Sequence, residues 1–191
     1  MSRSVFVSFL LLIFSLKSFA NDLSEIENYL NDIKTLKANF LQLDVNGTLA
    51  EGSITISKPG KFKWDYQSQP IQIISDGKTI VFYDKELKQS NFLDVDDSIA
   101  SLLAEENLSI NDDLNVIDFS STDNGSYLTV SKPNKKDVKQ MRLYFSHNPL
   151  MISKIDVLDY NNNKIEINLF DIVLNQKISK SEFIVKDQRL N

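Results

Sequence analysis

Hydrophobic positions along the chain follow two different periods, and the changes of period predict its elements. Between residues 21 and 36, apolar side chains recur every three to four positions, which indicates an amphipathic helix. From residue 35 the period falls to two, which is typical of strands whose alternate side chains share one face. A second helical spacing at Ile99, Leu102 and Leu103 predicts one short helix near the middle of the chain.

Segments of period two predict about five strands before the short helix and five or six after it. The expected strands cover residues 35–45, 48–57, 61–67, 71–75, 79–84, 114–119, 126–131, 138–145, 151–158 and 164–173, with 178–185 as a candidate for the last. Asn46-Gly47 and similar turns favour antiparallel hairpins. The pattern thus predicts a mainly β fold with short helices. So many consecutive antiparallel strands must curl into a strongly bent sheet or a barrel, and we expect the helices to cover its concave side.

One predicted strand carries a large aromatic surface. Phe62, Trp64 and Tyr66 alternate along it, so their side chains share a face, while Lys63 and Asp65 point the other way. Trp64 is the only tryptophan of the chain. Aromatic surface of this size must be buried, either in a core or against a ligand.

Other predicted strands repeat this arrangement. Their apolar faces are Ile54 and Ile56, then Met141, Leu143 and Phe145, then Ile165, Ile167 and Leu169. These residues either fill an ordinary core or line a concave face that an apolar ligand enters when the helices move aside. Sequence patterning does not distinguish a filled cavity from one that opens.

The first twenty residues have the features of a secretory signal peptide. A basic start at Arg3 is followed by the apolar run 5–16 and by the small-x-small motif Ser18-Phe19-Ala20. We expect cleavage after Ala20, a single domain over residues 21–191, and a location in the periplasm. The chain contains no cysteine, so we expect a soluble exported protein without the lipid-carrying cysteine of a lipoprotein.

Composition argues against a nucleic-acid partner and against catalysis. Removing Arg3 and Lys17 with the signal peptide takes the formal net charge from −5 to −7, whereas phosphate binding needs clustered positive charge. The single histidine, His147, lies in a turn, and the acidic runs 94–97 and 111–113 lack the glycine and distant glutamate of calcium loops. We therefore expect a protein that is not an enzyme, with no catalytic residue, no cofactor and no metal site. An enzyme with paired inward carboxylates stays open as an alternative.

Several motifs between residues 35 and 103 resemble the LolA-type outer-membrane lipoprotein carrier proteins. The matching pieces are Phe40-Leu41-Gln42, Gly52-x-Ile54, Lys58-Pro59-Gly60-Lys61-Phe62-Lys63-Trp64, Ile74-Ser75-Asp76-Gly77-Lys78 and Val81-Phe82-Tyr83-Asp84. Beyond residue 103 the strand pattern and the length agree with the family. The resemblance implies an incomplete antiparallel β-barrel with a helical lid over a hydrophobic cavity.

The resemblance also implies a function and partners. Such proteins take acylated lipoproteins from an inner-membrane lipoprotein-releasing ABC transporter and shield the acyl chains while crossing the periplasm. They release this cargo at the outer membrane, where a lipoprotein receptor is a further candidate partner. We expect a monomeric carrier. The alternative is a periplasmic regulatory module on the same fold that senses lipids or lipoproteins without transporting them; such proteins generally carry an additional domain.

The resemblance assigns the apolar faces to a cavity and the helices to a lid. The expected cavity residues are Phe40, Ile54, Ile56, Phe62, Trp64, Tyr66, Leu143, Phe145, Ile165 and Ile167. The expected underside of the lid is Leu30, Ile33, Ile99, Leu102 and Leu103.

A basic residue before the proline of the third strand is expected to fasten the lid. In the family this residue is usually arginine, and it bonds to the backbone of the lid. The matching residue here is Lys58, which keeps the charge but lacks the planar fork of a guanidinium group. We therefore expect a weaker latch and easier release of cargo.

Overall fold

The chain folds into one curved antiparallel sheet that helices cover on one face. The computed structural model describes residues 22–93, 99–133 and 138–184, and the expected signal peptide lies outside them. Helix α1 covers residues 22–32, α2 is Ile99–Leu103 and α3 is Ile110–Asp113. The strands are β1 (Thr35–Leu43), β2 (Leu49–Ser57), β3 (Lys61–Tyr66), β4 (Ile71–Asp76), β5 (Ile80–Asp84), β6 (Gln89–Leu93), β7 (Asn115–Thr122), β8 (Gly125–Ser131), β9 (Val138–Ser146), β10 (Met151–Asp159) and β11 (Lys164–Leu174). The predicted mainly β class is confirmed.

The order of strands in the sheet is β6-β5-β4-β3-β2-β1-β11-β10-β9-β8-β7. Strands β1 to β6 and strands β7 to β11 therefore form two meanders in which each strand pairs with its neighbour in sequence. The meanders meet where the first strand pairs with the last, from Leu36 opposite Leu174 to Leu43 opposite Glu166. β6 and β7 are the edges of the open sheet, and α2 and α3 lie in the connection between them.

The apolar faces predicted for the strands all lie on the inner side of the sheet, as expected. The register places Ile54 beside Trp64, and Leu143 and Ile167 on either side of Ile155. These side chains belong to one buried cluster. Because burial of apolar area contributes about 25 cal/mol per Å², this cluster is the main source of stability.

Helices cover the inner face and complete the same cluster. We call α1 together with residues 99–113 the lid. Its buried side chains are Leu23, Ile26 and Leu30 from α1, and Leu102, Leu103, Ala104, Leu108 and Ile110 from residues 99–113; Ile33, directly after α1, is buried in the same cluster. The core is thus shared between the sheet and the lid, as the helical spacing predicted.

The described carboxyl-terminal residues do not form the predicted last strand. Within residues 178–184 the chain instead forms a 3-10 helix at Lys180–Phe183, which Ser179 caps through its side-chain hydroxyl. Only Phe183 is buried in this segment, so it lacks the alternating set of buried side chains that stabilises a strand. The prediction of a strand was wrong for this reason.

A second, smaller buried cluster lies on the outer face of the sheet. Ile74 and Val81 pair across β4 and β5 and are buried on that side. The 3-10 helix contacts β3 and β4 and brings the buried Phe183 to this face, where Glu182 pairs with Lys63 at 3.7 Å. The carboxyl-terminal segment therefore packs against the face of the sheet opposite the lid.

Two short elements were not predicted. β6 is an edge strand of mixed polarity that pairs with β5, and α3 contains the acidic run 111–113. The acidic run 94–97 lies outside the described residues. In the part of the chain that the structure describes, no helix is long and apolar enough to cross a membrane.

Candidate functional site

An aromatic cluster lies on the inner face. Phe40 stands between Trp64 and Tyr66, and its ring centroid is 5.2 Å from the centroid of each. Its partner across the strands is Gly52, where an added Cβ would lie 2.7 Å from the Phe40 ring. Glycine therefore leaves the space that the ring fills, which explains the Gly52-x-Ile54 motif.

The ten residues expected to line a cavity lie together on this face. Eight of them are buried, while Tyr66 and Ile165 are half-buried. The Tyr66 hydroxyl donates to Gln42 Oε1 at 2.9 Å, and burial raises the pKa of this phenol despite that bond. In this conformation the expected cavity residues pack with the lid in one cluster.

The residues expected on the underside of the lid belong to the same buried cluster as the inner face of the sheet. Leu30 belongs to α1, Ile33 directly follows that helix, and Leu102 and Leu103 belong to α2. All four side chains are buried. Ile99 begins α2, but its side chain lies outside the described part of the structure.

Three side chains hold the carbonyl groups at the carboxyl end of α1. Such carbonyls have no partner inside the helix and must be satisfied from outside. The pairs are Lys58 Nζ with the Leu30 carbonyl at 2.7 Å, Lys34 Nζ with the Asn31 carbonyl at 3.0 Å, and Asn175 Nδ2 with the Asp32 carbonyl at 3.2 Å. Lys58 therefore bonds to lid backbone from the turn between β2 and β3. It satisfies one carbonyl, and the other two have their own donors.

The same turn makes a second bond to the lid. The Gly60 N–H donates to the Ala104 carbonyl at 2.8 Å, and the Gly60 carbonyl accepts from Ser75 Oγ at 2.8 Å. Gly60 has φ +69°, and an added Cβ would lie 3.0 Å from Gly77 Cα, so the turn requires glycine. We call the bonds from Lys58 to Leu30 and from Gly60 to Ala104 the latch.

Polar side chains of α1 join the two parts of the lid. Asn31 accepts from the Leu108 N–H and donates to the Leu108 carbonyl, each at 2.8 Å. Glu27 accepts from the Ile110 N–H at 2.7 Å. Because these bonds link α1 to residues 99–113, we expect the two parts to move together.

Another side chain of α1 docks on the far half of the sheet. The Tyr29 hydroxyl accepts from the Ile152 N–H at 3.0 Å, and its ring meets the Phe145 ring edge-on at 6.0 Å. Burial raises the pKa of this phenol, and the bond from Ile152 partly opposes that shift. The lid is therefore held through discrete polar contacts around an apolar underside.

Lys58 is a cation held in a half-buried place. Burial, with a smaller contribution from the charge of Lys34, lowers the pKa of Lys58 to about 8, and Glu105 acts in the opposite direction. Below pH 8 the folded protein must keep a charge where it is poorly hydrated. In the unfolded state the ammonium is hydrated, and its pKa returns toward the ordinary value of 10.5.

This shift predicts a pH dependence with a definite sign. Between pH 8 and 10.5 the unfolded state binds more protons at Lys58 than the folded state, so Lys58 should make stability rise with pH in this window. Arginine stays charged throughout, so Lys58→Arg should lack this gain. We expect the difference in Tm between the natural protein and Lys58→Arg to change in favour of lysine from pH 7.5 to about 10.

Other lysines and tyrosines titrate equally in both proteins, so this difference isolates the contribution of Lys58. Parallel curves of Tm against pH would show that Lys58 is hydrated in the closed state.

Asn31→Ala should loosen the lid. The substitution leaves both backbone groups of Leu108 without their partner, at a cost of about 1–2 kcal/mol. We expect the Leu108 amide to exchange with deuterium about tenfold faster, measured by NMR or mass spectrometry. Asn28→Ala, an exposed position of the same helix, is the control and should change neither rate nor Tm. Equal exchange in both variants would mean that the parts of the lid are joined by their apolar contacts alone.

In the described ranges, no two buried carboxylates face each other inside the core. Asp156 is the one buried carboxylate there, and it lies beside Glu166 on the strand register. Its Oδ2 accepts from the Tyr144 hydroxyl at 2.9 Å and pairs with Lys164 at 3.1 Å. Ion pairs with neighbouring lysines therefore offset the cost of burying the Asp156 carboxylate.

Sequence patterning missed the polar residues that attach the lid. Asn31 and Glu27 belong to the polar side of a helix, which normally faces water. Gly60 belongs to a turn, and Ser75 lies near the end of β4. The motifs Lys58-Pro59-Gly60 and Ile74-Ser75 contain two of them, but only the fold shows their partners. The partners of Asn31 and Glu27 lie 77 and 83 residues away in sequence.

Comparisons with known proteins agree with this architecture. The family model described as outer membrane lipoprotein carrier protein LolA matches residues 31–186. An uncharacterized protein of Rickettsia prowazekii is 27% identical over 180 residues, which cover 92% of this chain and 83% of that protein. An outer-membrane lipoprotein carrier protein of Nitrosomonas europaea is 33% identical over 139 residues, or 66% of each chain.

A solved structure shares the fold at low sequence identity. The crystal structure of an uncharacterized conserved protein from Thermus thermophilus superposes with a TM-score of 0.55 at 10% identity. The match covers 89% of this chain and 96% of that one.

Proposed function

Because this chain belongs to the LolA family of outer membrane lipoprotein carrier proteins, we propose that it is a periplasmic carrier for lipoproteins. It would bind acyl chains of lipoproteins that an inner-membrane ABC transporter releases, and deliver them to the outer membrane. An outer-membrane receptor is a further candidate partner. The carrier acts by binding and release, as a monomer, without a chemical step.

The observation that carries this proposal is the construction of the core. The inner face of the sheet is apolar from β3 to β9. Its cover is attached by a small number of polar contacts, which are the bonds of Lys58, Gly60, Tyr29 and Asn175 and the ion pair of Lys132 with Glu105. Breaking these bonds would free the lid without unpairing a strand. The ten expected cavity residues would then face an acyl chain in place of the lid.

Energetics explain why such a carrier needs a lid. Each buried methylene contributes roughly 0.8 kcal/mol, so one long acyl chain that leaves water gains on the order of 10 kcal/mol. A permanently open cavity with that affinity would hold its cargo too long. A lid that closes on the empty cavity competes with the cargo, because entry must first break the latch and the lid's apolar contacts.

Lys58 determines how strongly the closed lid competes with the cargo. Lys58 makes one bond to the lid, to the Leu30 carbonyl, whereas a guanidinium fork has donors for more than one acceptor. Because the latch forms only in the closed, empty state, a weaker latch favours the open lid and longer retention of the cargo, the opposite direction to the easier release expected from the motif alone. The arginine variant should accordingly bind an acyl probe less tightly and release it faster than the natural protein.

Release of a lipoprotein from spheroplasts tests the carrier function. Spheroplasts that contain a labelled lipoprotein are incubated with the purified protein, and the label in the supernatant is measured. The expected result is release of a soluble complex of carrier and lipoprotein. A protein that binds acyl probes but releases no lipoprotein would be a sensing module and not a carrier.

A further inference from the structure

We propose that the indole N–H of Trp64 binds the carbonyl oxygen of a cargo acyl group. The inner face would then prefer an acyl ester or amide over a plain alkyl chain. This inference rests on the proposed function, because it assigns a role to one polar atom within the expected acyl-binding face.

The indole of Trp64 is a buried donor without an acceptor. Its side chain is 6% exposed, and Nε1 has no hydrogen-bond partner among the described residues. Buried tryptophan N–H groups usually find a partner, and leaving one unpaired costs about 1–3 kcal/mol. An acceptor that arrives with a ligand would satisfy this buried donor and remove that cost.

Apolar residues surround this donor. Ile54 and Ile73 are the neighbours of Trp64 on the adjacent strands, and the Phe40 ring lies at 5.2 Å with its plane tilted by 49°. Two residues along the same face, the Tyr66 hydroxyl has its acceptor in Gln42. Among the residues that the structure describes, Trp64 Nε1 is thus the one polar atom of this face that the protein's own side chains leave without a partner.

The chemistry of the proposed cargo supplies an acceptor. Every acyl chain carries a carbonyl oxygen at its head, whether it is linked as an ester or as an amide. A hydrocarbon chain that replaced the lid would leave the indole N–H unpaired, whereas a carbonyl oxygen near Trp64 would satisfy it. Because the alternative is an unpaired buried group, the preference should be larger than for an exposed hydrogen bond.

A matched pair of probes tests the inference. 1-Monolauroylglycerol and 1-O-dodecylglycerol have the same chain length and the same glycerol head, and they differ in the carbonyl group. Affinities are measured below the micelle concentration with protein from expression of the whole 191-residue chain. The natural protein should bind the ester about 3- to 10-fold more tightly than the ether. Trp64→Phe keeps an aromatic ring without the donor and should bind the two probes within about twofold.

NMR gives a second measurement that does not depend on the variant. The chain has one tryptophan, so the labelled protein shows a single indole N–H resonance. Titration with the ester should move this resonance downfield, and titration with the ether should not.

The outcomes separate this inference from the proposed function. If neither probe binds the natural protein, acyl binding itself fails. If both probes bind equally and neither moves the indole resonance downfield, the role of Trp64 is refuted while acyl binding stands. An ester preference that persists in Trp64→Phe would likewise refute it.

Discussion

Phe62→Glu is expected to abolish retention of an acyl probe while the sheet stays folded. The Phe62 side chain has an exposed fraction of 0% beneath the lid, so the new carboxylate has no partner in the closed state. Keeping it buried costs several kcal/mol. Opening the lid hydrates the charge, and the lid is attached to the sheet by far fewer bonds than the strands are to each other. The protein should therefore respond by opening, and the carboxylate on the opened apolar face should prevent an acyl chain from binding there.

Hydrogen exchange distinguishes opening from unfolding. In Phe62→Glu, amides of α1 and of residues 99–113 should exchange at least about tenfold faster, while those of β1 and β11 stay protected. The control is Ile74→Glu, which is as deeply buried but lies on the outer face under the 3-10 helix. Ile74→Glu should lower Tm more than Phe62→Glu does. It should not raise hydrogen exchange in the lid above that in the rest of the protein. Loss of the whole unfolding transition in Phe62→Glu would mark Phe62 as an ordinary core residue.

Gly52→Ala should destabilise the sheet itself. An added Cβ would lie 2.2 Å from the Asp65 carbonyl oxygen and 2.7 Å from the Phe40 ring, and the carbonyl belongs to the backbone of the neighbouring strand. One methyl group must therefore displace both the strand and the aromatic ring. We expect a loss of about 2–4 kcal/mol, which lowers Tm by about 5–15 °C.

Gly47→Ala is the matched control for this substitution. Gly47 has φ +79° in the turn between β1 and β2, but nothing lies within 4 Å of an added Cβ. Its cost is backbone strain alone, about 1 kcal/mol. Similar losses of Tm in the two variants would show that the space beside Phe40 is not tight.

The strands that carry the inner face could be predicted because their burial is one-sided. In β3, every second residue from Phe62 to Tyr66 faces the core, and the intervening Lys63 and Asp65 form an ion pair on the other face at 3.5 Å. β6 escaped prediction because it is an edge strand whose exposed residues include Phe92 and whose composition does not alternate. Pairing with β5, which sequence does not reveal, decides its structure.

The candidate site also has a part that sequence predicts and a part that it does not. The apolar side chains of the site follow from periodicity, and the family motif identifies Lys58. The bonds that fasten the lid do not follow from either, because each joins polar groups from distant parts of the chain. Asn31 matters only because Leu108 lies beside it, and the third carbonyl of α1 depends on Asn175, 143 residues beyond its partner Asp32. Such partners become visible only when the sheet brings the ends of the chain together.

The pairing of the first strand with the last has a consequence for biosynthesis. Contacts across the β1–β11 seam join distant parts of the chain: Asn39 bonds to Asp171, 132 positions away, and Thr35 bonds to Gln176, 141 positions away. Until residue 174 is available, β1 and β10 keep unpaired edges in the middle of the future sheet, and neither meander can close its core. Nascent or truncated chains that lack β11 therefore cannot complete the sheet. The topology delays folding until synthesis is nearly complete, and it leaves incomplete chains open to proteases.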